Sequence, residues 1–333
     1  MVLMISPGLI SIITPCFTTA RLRDLTELLD SIHAQTYRNI EVLVVTERSP
    51  ELGDAIRNYV EGKGYPGVRV LYNEQAWGSY AARNLGIQQA HGEILAFIDD
   101  DALLLPDWTE ETVKAYAEDD STIGLTGPIL PQWSEDTMSW FPRELYWIFS
   151  CTYWDWNEKT EVRNGYGTNI SFRREAFDRC GLFTNSLEAT ERQGSDWQRP
   201  GAKETEFSLR VTRTTGKRII YHPGIGVKHK VYPYRLSMGF IVRRAYWEGY
   251  AKALLNRQYR PGQGGVLSTE YGLLRRILFK ALPQSLGLLF RRPEIGGRRL
   301  WIFGLTLGSV AAGYTSYMLG HLRPSKNKAE AKS

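Results

Sequence analysis

The chain has 333 residues, 43% hydrophobic, 12% aromatic and 23% charged, the balance of a folded globular protein with room for one large domain or a domain plus an appendage. The net charge of +5 is unevenly placed: from Tyr271 onward there are eleven Lys/Arg against two Glu, which leaves 30 basic and 34 acidic groups before it. A net-acidic body argues against nucleic acid as a partner, and a cationic tail points to an anionic surface. Cys16, Cys151 and Cys180 stand too far apart for a zinc spacing or a disulfide framework and fit buried thiols in a reducing compartment.

The opening MVLMISPGLISIITP lacks the basic start and small-residue cleavage site of a signal peptide. Its apolar run over residues 9–13 is too short to cross a bilayer and reads as a first strand, so the body is expected in the cytoplasm. Residues 9–14 (LISIIT) and 40–45 (IEVLVV) are short β-branched runs suited to buried parallel strands. Between them Leu25, Leu28, Leu29 and Ile32 recur at helical spacing. A strand over 68–72, a helix over 81–90 and a strand over 93–98 continue the alternation. That order predicts a doubly wound, mostly parallel α/β sheet with ligands beyond the carboxyl ends of its strands.

Further on, residues 130–165 are rich in aromatics and weakly periodic, and residues 184–203 read as a polar loop. A helix is expected from Glu204 to its stop at Gly216, then a strand over 218–221, a basic loop over 222–235 and a helix over 243–255. Two apolar stretches close the chain, 273–290 with interspersed charges and 300–320 with none.

Asp99, Asp100 and Asp101 follow directly on an apolar strand. Adjacent carboxylates repel unless a cation or hydrogen-bond donors sit among them, and hard oxygen ligands at a strand end suit Mg²⁺ or Mn²⁺ holding a diphosphate. The competing explanation is an acidic turn capping the helix that begins near Pro106, but a position at the carboxyl end of a strand favours the ligand site. Arg83 reads equally as a phosphate partner and as a buried core ion pair.

The ordered set SIITPCF, EVLVVTERS, WGSYAARNLGIQQAHGEILAFIDDD and GYGTNISFRREAFDRCGLF resembles family-2 glycosyltransferases of the GT-A fold, over roughly residues 9–260. That resemblance implies a catalytic domain over 1–235, with a nucleotide-sugar half to about 125 and an acceptor half over 126–235, followed by C-terminal membrane-associating helices over 236–333. It implies donor contacts from Thr14, Pro15, Glu47, Arg83, Asp99 and Asp100, and metal ligation by Asp101 and His229. Asn169 falls in the acceptor-side segment. Lys228, Lys230 and Arg235 surround His229 as a cationic patch suited to phosphate. The chain departs from the family pattern at Thr46, where a second acidic residue is usual beside Glu47, and at Thr18 in the first turn.

An inverting transferase needs one carboxylate to deprotonate the acceptor hydroxyl. The acidic helix start AKETEF offers Glu204 and Glu206; Arg210, four residues beyond Glu206, explains that residue as a surface pair, which leaves Glu204 as the expected base.

Residues 300–320 are long enough to cross a hydrocarbon core, and Gly304 and Gly308 form a GxxxG pattern expected to allow close helix packing. Basic flanks on both sides give no orientation, and suit a re-entrant or in-plane segment as well as a span. Residues 273–290 read as an amphipathic interfacial helix. The alternative is a buried helix pair closing the sheet. Taken together, the resemblance implies transfer from a nucleotide diphosphate sugar, UDP-sugars foremost and glucuronic acid among them, to a polyprenyl- or dolichyl-linked saccharide at the cytoplasmic face of the membrane. The non-enzymatic alternative is a degenerate member acting as a nucleotide-sugar sensor or scaffold.

Overall fold

The computed structural model describes residues 8–47, 49–74, 78–134, 138–154, 156–184, 203–259 and 266–322. In chain order they form β1 (Ile10–Cys16), α1 (Leu22–His33), β2 (Ile40–Glu47), α2 (Pro50–Lys63), β3 (Val68–Asn73), α3 (Ser79–Gln89), β4 (Ile94–Ile98), β5 (Ala102–Leu104), α4 (Trp108–Glu118), β6 (Thr122–Thr126) and β7 (Ile129–Trp133). Then come β8 (Thr160–Val162), β9 (Asn169–Arg173), α5 (Arg174–Cys180), α6 (Lys203–Thr215), β10 (Arg218–Tyr221), β11 (Val227–Val231), α7 (Met238–Gln258), α8 (Ser268–Arg276), α9 (Leu282–Arg291) and α10 (Pro293–Leu322). Two compact units are recognised. One runs to Ser134 and resumes from Phe149 through Val231; the other comprises the segment to Ile148 and the helices from Tyr232 on.

In the first unit an eight-stranded sheet runs β3-β2-β1-β4-β9-β6-β10-β8. β1 to β4 are mutually parallel, and β9 lies antiparallel between β4 and β6. The α1 leucines and Ile32 predicted as a core face are buried, as are β1, β2 and β4 over most of their lengths. α2 was not expected from apolar spacing. Its signals are local: the Ser49 hydroxyl accepts from Leu52 N–H, Pro50 opens the helix, and Gly64 closes it at φ 64°.

The expected basic loop over 222–235 contains a strand at its centre. β11 pairs with β5 and β7 in a second, three-stranded sheet. Alternation along it buries Val227, His229 and Val231 and turns Lys228 out. The polar loop expected over 184–203 falls almost entirely outside the described residues.

In the second unit α10 lies along α7. Close approach is made by Gly313 and Gly249 rather than by Gly304 and Gly308, which correct the GxxxG expectation by facing open space. A Cβ on Gly313 would sit 1.8 Å from the Tyr246 carbonyl oxygen, and one on Gly249 would sit 1.9 Å from that of Val310. Tyr246 donates to Ser316 Oγ at 2.8 Å, and the Tyr250 and Tyr317 rings meet edge to face. Gly313→Val should therefore lower the unfolding free energy of the helical unit by about 1–3 kcal/mol or more. Gly304→Ala should be neutral or stabilising by up to about 1 kcal/mol, through helix propensity alone. Urea unfolding of the two variants side by side checks the contrast.

Candidate active site

The three aspartates lie between the end of β4 and the start of β5, Asp99 held by one arginine and Asp100 and Asp101 by another. Asp99 accepts from Arg83 Nη2 at 2.8 Å and from the Thr168 hydroxyl at 2.7 Å. Asp100 Oδ1 and Asp101 Oδ2 both accept from Arg21 Nη1, at 2.7 and 2.9 Å. The other Asp101 oxygen lies 3.2 Å from His229 Nε2. β11 makes that contact possible, because its register sets His229 opposite Ala102.

Burial raises the Asp100 carboxyl to about 6, with Asp101 adding to it and Arg21 opposing. The Cys16 thiol beside it is pushed well up, by burial and then by Asp100. Burial alone would depress His229, but the Asp101 carboxylate outweighs it and raises the imidazole to about 10. His229 is thus an imidazolium at neutral pH. The stabilisation it contributes is complete below its unfolded value near 6.5 and is lost as pH rises through about 10.

Arg83 projects from α3 and is almost wholly buried. Its guanidinium reaches Asp99, the Gly167 carbonyl at 3.0 Å and Glu204 Oε1 at 3.1 Å. The Gly167 loop is pressed so close that a Cβ there would lie 2.2 Å from Glu204 Oε1. Helix α6 aims Glu204 inward because Phe207 and Ser208, three and four residues on, are fully buried on the same face. Phe207 stacks on Phe177 and meets Phe172 edge to face, which fixes the helix against β9 and α5. Burial first, then Glu204, raises the Tyr80 hydroxyl well above its ordinary value.

Glu206 is a pair partner as expected, but a buried one: Arg210 holds both its oxygens at 2.9 and 3.1 Å while also donating to the Leu182 carbonyl. This is structural work that ties α6 to the end of α5.

Several predicted contacts are placed otherwise. Asn169 is fully buried, accepting from Trp108 Nε1 at 3.0 Å and donating to the Ile225 carbonyl at 2.8 Å. That corrects its acceptor assignment, since its amide is spent inside the core. Lys230 is corrected likewise: Asp24 and Glu27 each hold its ammonium at 2.6 Å, which neutralises it. Lys228 remains exposed, and Arg235 lies in the second unit, against the Tyr232 and Tyr234 rings. Thr14 and Pro15 lie at the end of β1, Thr14 fully buried, and Glu47 ends β2 opposite Asn73. Thr46 is buried, with its hydroxyl on the Leu71 carbonyl. Sequence reasoning missed Arg21, Thr168 and Tyr80, whose only advance signal was their nearness to recognised motifs.

The carboxyl ends of the parallel strands in this mixed sheet are where such folds bind ligands, and here they gather two carboxylates, a histidine from the second sheet and a helix-borne glutamate. The family model described as "Glycosyl transferase family 2" matches residues 11–181, and the chain belongs to that family and is a glycosyltransferase. It is 30% identical over 251 residues to the glucosyl-dolichyl phosphate glucuronosyltransferase of Haloferax volcanii, covering 75% of this chain and 78% of that one. Over 110 residues it is 35% identical to glycosyltransferase AglE of the same organism, covering 32% and 35% of the two chains. The fold is that of the mannosyltransferase PcManGT from Pyrobaculum calidifontis, solved with GDP-Man and Mn²⁺, at a TM-score of 0.62 and 19% identity over 94% of this chain and 88% of that one.

Two outcomes separate the roles of the carboxylates. Glu206→Gln should cost about 2–3 kcal/mol of stability, below the figure for a fully buried pair because Arg210 is partly solvated, while Glu204→Gln should cost only about 1 kcal/mol, because Arg83 keeps Asp99 and the Gly167 carbonyl. Because burial makes the Asp100 charge unfavourable, Asp100→Asn should leave the metal-free protein at least as stable at pH 7. It should also remove the loss of stability that this carboxyl contributes as pH rises from about 4 to 6. Chemical unfolding across that range reads both.

Proposed function

We propose that the protein is an inverting, metal-dependent glycosyltransferase that moves a sugar from a nucleotide diphosphate sugar to a lipid-linked saccharide. The observation that carries this is the continuity of the site. One buried guanidinium, Arg83, links Asp99 to Glu204 and so joins a donor-side carboxylate to a candidate base.

Asp99, Asp101 and His229 each offer one ligand atom, all within 4.8 Å of one another. Two hard oxygens and an imidazole nitrogen suit a divalent cation, and the nitrogen favours Mn²⁺ over Mg²⁺. The His229 proton held against Asp101 marks the place of a positive charge, which supports the fit. A bound divalent ion would supply charge for the departing diphosphate. Pro15 and Glu47, at the ends of β1 and β2, are candidates for the nucleoside part of the donor, with fully buried Thr14 in the strand beside Pro15, and exposed Lys228 is a candidate for phosphate. Glu204 takes the proton of the acceptor hydroxyl as that oxygen forms its bond to the anomeric carbon. The bond from that carbon to the diphosphate oxygen breaks with inversion, and the nucleoside diphosphate leaves with the electron pair.

The acceptor class is supported by the Haloferax volcanii relative, whose name specifies a glucosyl-dolichyl phosphate. The same name specifies a glucuronosyltransferase, which supports glucuronic acid as the sugar moved, and a dolichyl-linked acceptor implies a membrane as partner.

The test is a panel of UDP- and GDP-sugars with Mn²⁺ or Mg²⁺ and a lipid extract, followed by detection of sugar-labelled lipid. Transfer should be greatest from a UDP-sugar, should vanish with EDTA and should return with Mn²⁺. Glu204→Gln should lose about 10²–10⁴-fold in kcat while still binding nucleotide. Nucleotide binding without transfer from any donor would overturn the proposal.

A further inference from the structure

We infer that the C-terminal unit docks on an anionic lipid surface from one side, with α10 lying at the interface instead of crossing the bilayer. This concerns the membrane proposed above as a partner. It is read without a transfer assay, so its failure is separable from that of the transfer reading.

α10 has 30 residues, about 45 Å of helix, and Pro293–Gly320 is long and apolar enough to span. Its packing argues otherwise. The stretch around Val310, Gly313 and Tyr317 would occupy the hydrocarbon, and that stretch is fixed to α7 at backbone contact through Gly249 and Gly313. α7 cannot follow it there. Along the contacting turns α7 carries Glu248 and Lys252, paired to each other at 3.1 Å, with Arg244 on Glu248 and α8's Glu270 on Lys252. Ionised groups at that depth are strongly disfavoured. Spanning would require either burying this network in lipid or peeling α10 from its partner.

The same unit presents a surface built for the interface. Through α8, the turn over Ile277–Ala281, and α9, large apolar side chains face solvent: Phe279 is 77% exposed, Phe290 92%, Tyr271 65% and Leu286 50%. Phenylalanines this exposed belong on a binding face. Arg275, Lys280, Arg291, Arg292 and Arg298 are interspersed with them and exposed as well. Apolar side chains entering the acyl boundary beside arginines at the phosphate level is the chemistry of an in-plane anchor on anionic lipid. A second copy of the chain would have to bury those cations against its own, which disfavours dimerisation through this face.

The full-length protein is floated with vesicles of phosphatidylcholine, with and without phosphatidylglycerol. Binding should be strong only with phosphatidylglycerol and should weaken with salt. Phe279→Asp with Phe290→Asp should lower it about tenfold or more. Arg291→Gln with Arg292→Gln, which leaves the apolar face intact, should lower binding only to the anionic vesicles. Unchanged thermal unfolding confirms that each variant folds.

Topology is read from a C-terminal epitope tag in sealed inside-out membrane vesicles. Protease should remove the tag together with the catalytic unit in the absence of detergent. A protected tag would mean that α10 crosses. Failure to float, or a dimer in sedimentation that the double Phe variant dissolves, would overturn the lipid assignment.

Discussion

The arrangement depends on one buried cation. Arg83 sits on α3 with almost no solvent, so the two terminal nitrogens of its guanidinium depend on protein acceptors. It takes them from three parts of the chain: Asp99 after β4, the Gly167 carbonyl before β9, and Glu204 at the head of α6. A buried guanidinium has fixed fork geometry, so satisfying it also fixes its acceptors relative to one another. The donor-side carboxylate and the candidate base are thereby held by the same group. Gly167 is part of this constraint, since any side chain there would occupy the space in which Arg83 and Glu204 meet.

The second constraint is the division of labour among the three aspartates. Arg21 bridges Asp100 and Asp101, leaving one Asp101 oxygen directed at His229. Asp99 turns the other way, to Arg83 and Thr168. Only Asp99 and Asp101 gather with the histidine, and Asp100, buried and raised to about 6, is the member least suited to carry a ligand charge.

What the sequence made legible follows from how local each signal is. Buried parallel strands and the α1 face are written in apolar spacing, so the core of the sheet and the strand-end position of the aspartates could be read directly. α2 escaped because its burial is thin and its caps carry the information. β11 escaped because VKHKV alternates two lysines with a histidine, a pattern that looks like a charged loop until the strand is placed between β5 and β7. Glu206 illustrates the limit on energetics: the spacing to Arg210 gave the pair but not its burial. Lys230 and Asn169 were misassigned because their partners, Asp24, Glu27 and Trp108, lie far away in sequence.

Charge at the site explains why these pieces belong together. Asp99, Asp100, Asp101 and Glu204 face Arg21, Arg83 and the protonated His229, so ionisation of all four carboxylates leaves one excess negative charge among groups that are mostly buried. Such an imbalance is costly in a low-dielectric setting unless a further cation or proton relieves it. The raised Asp100 carboxyl is one form of that relief. A divalent ion among Asp99, Asp101 and His229 would be a stronger one, since it displaces a single proton and brings two charges. With all four carboxylates ionised, that exchange brings the group from one excess negative charge to neutrality, which removes the repulsion a diphosphate would otherwise meet. Donor and metal are on this account coupled ligands, each improving the electrostatic setting of the other, with Arg83 carrying their joint position across to Glu204.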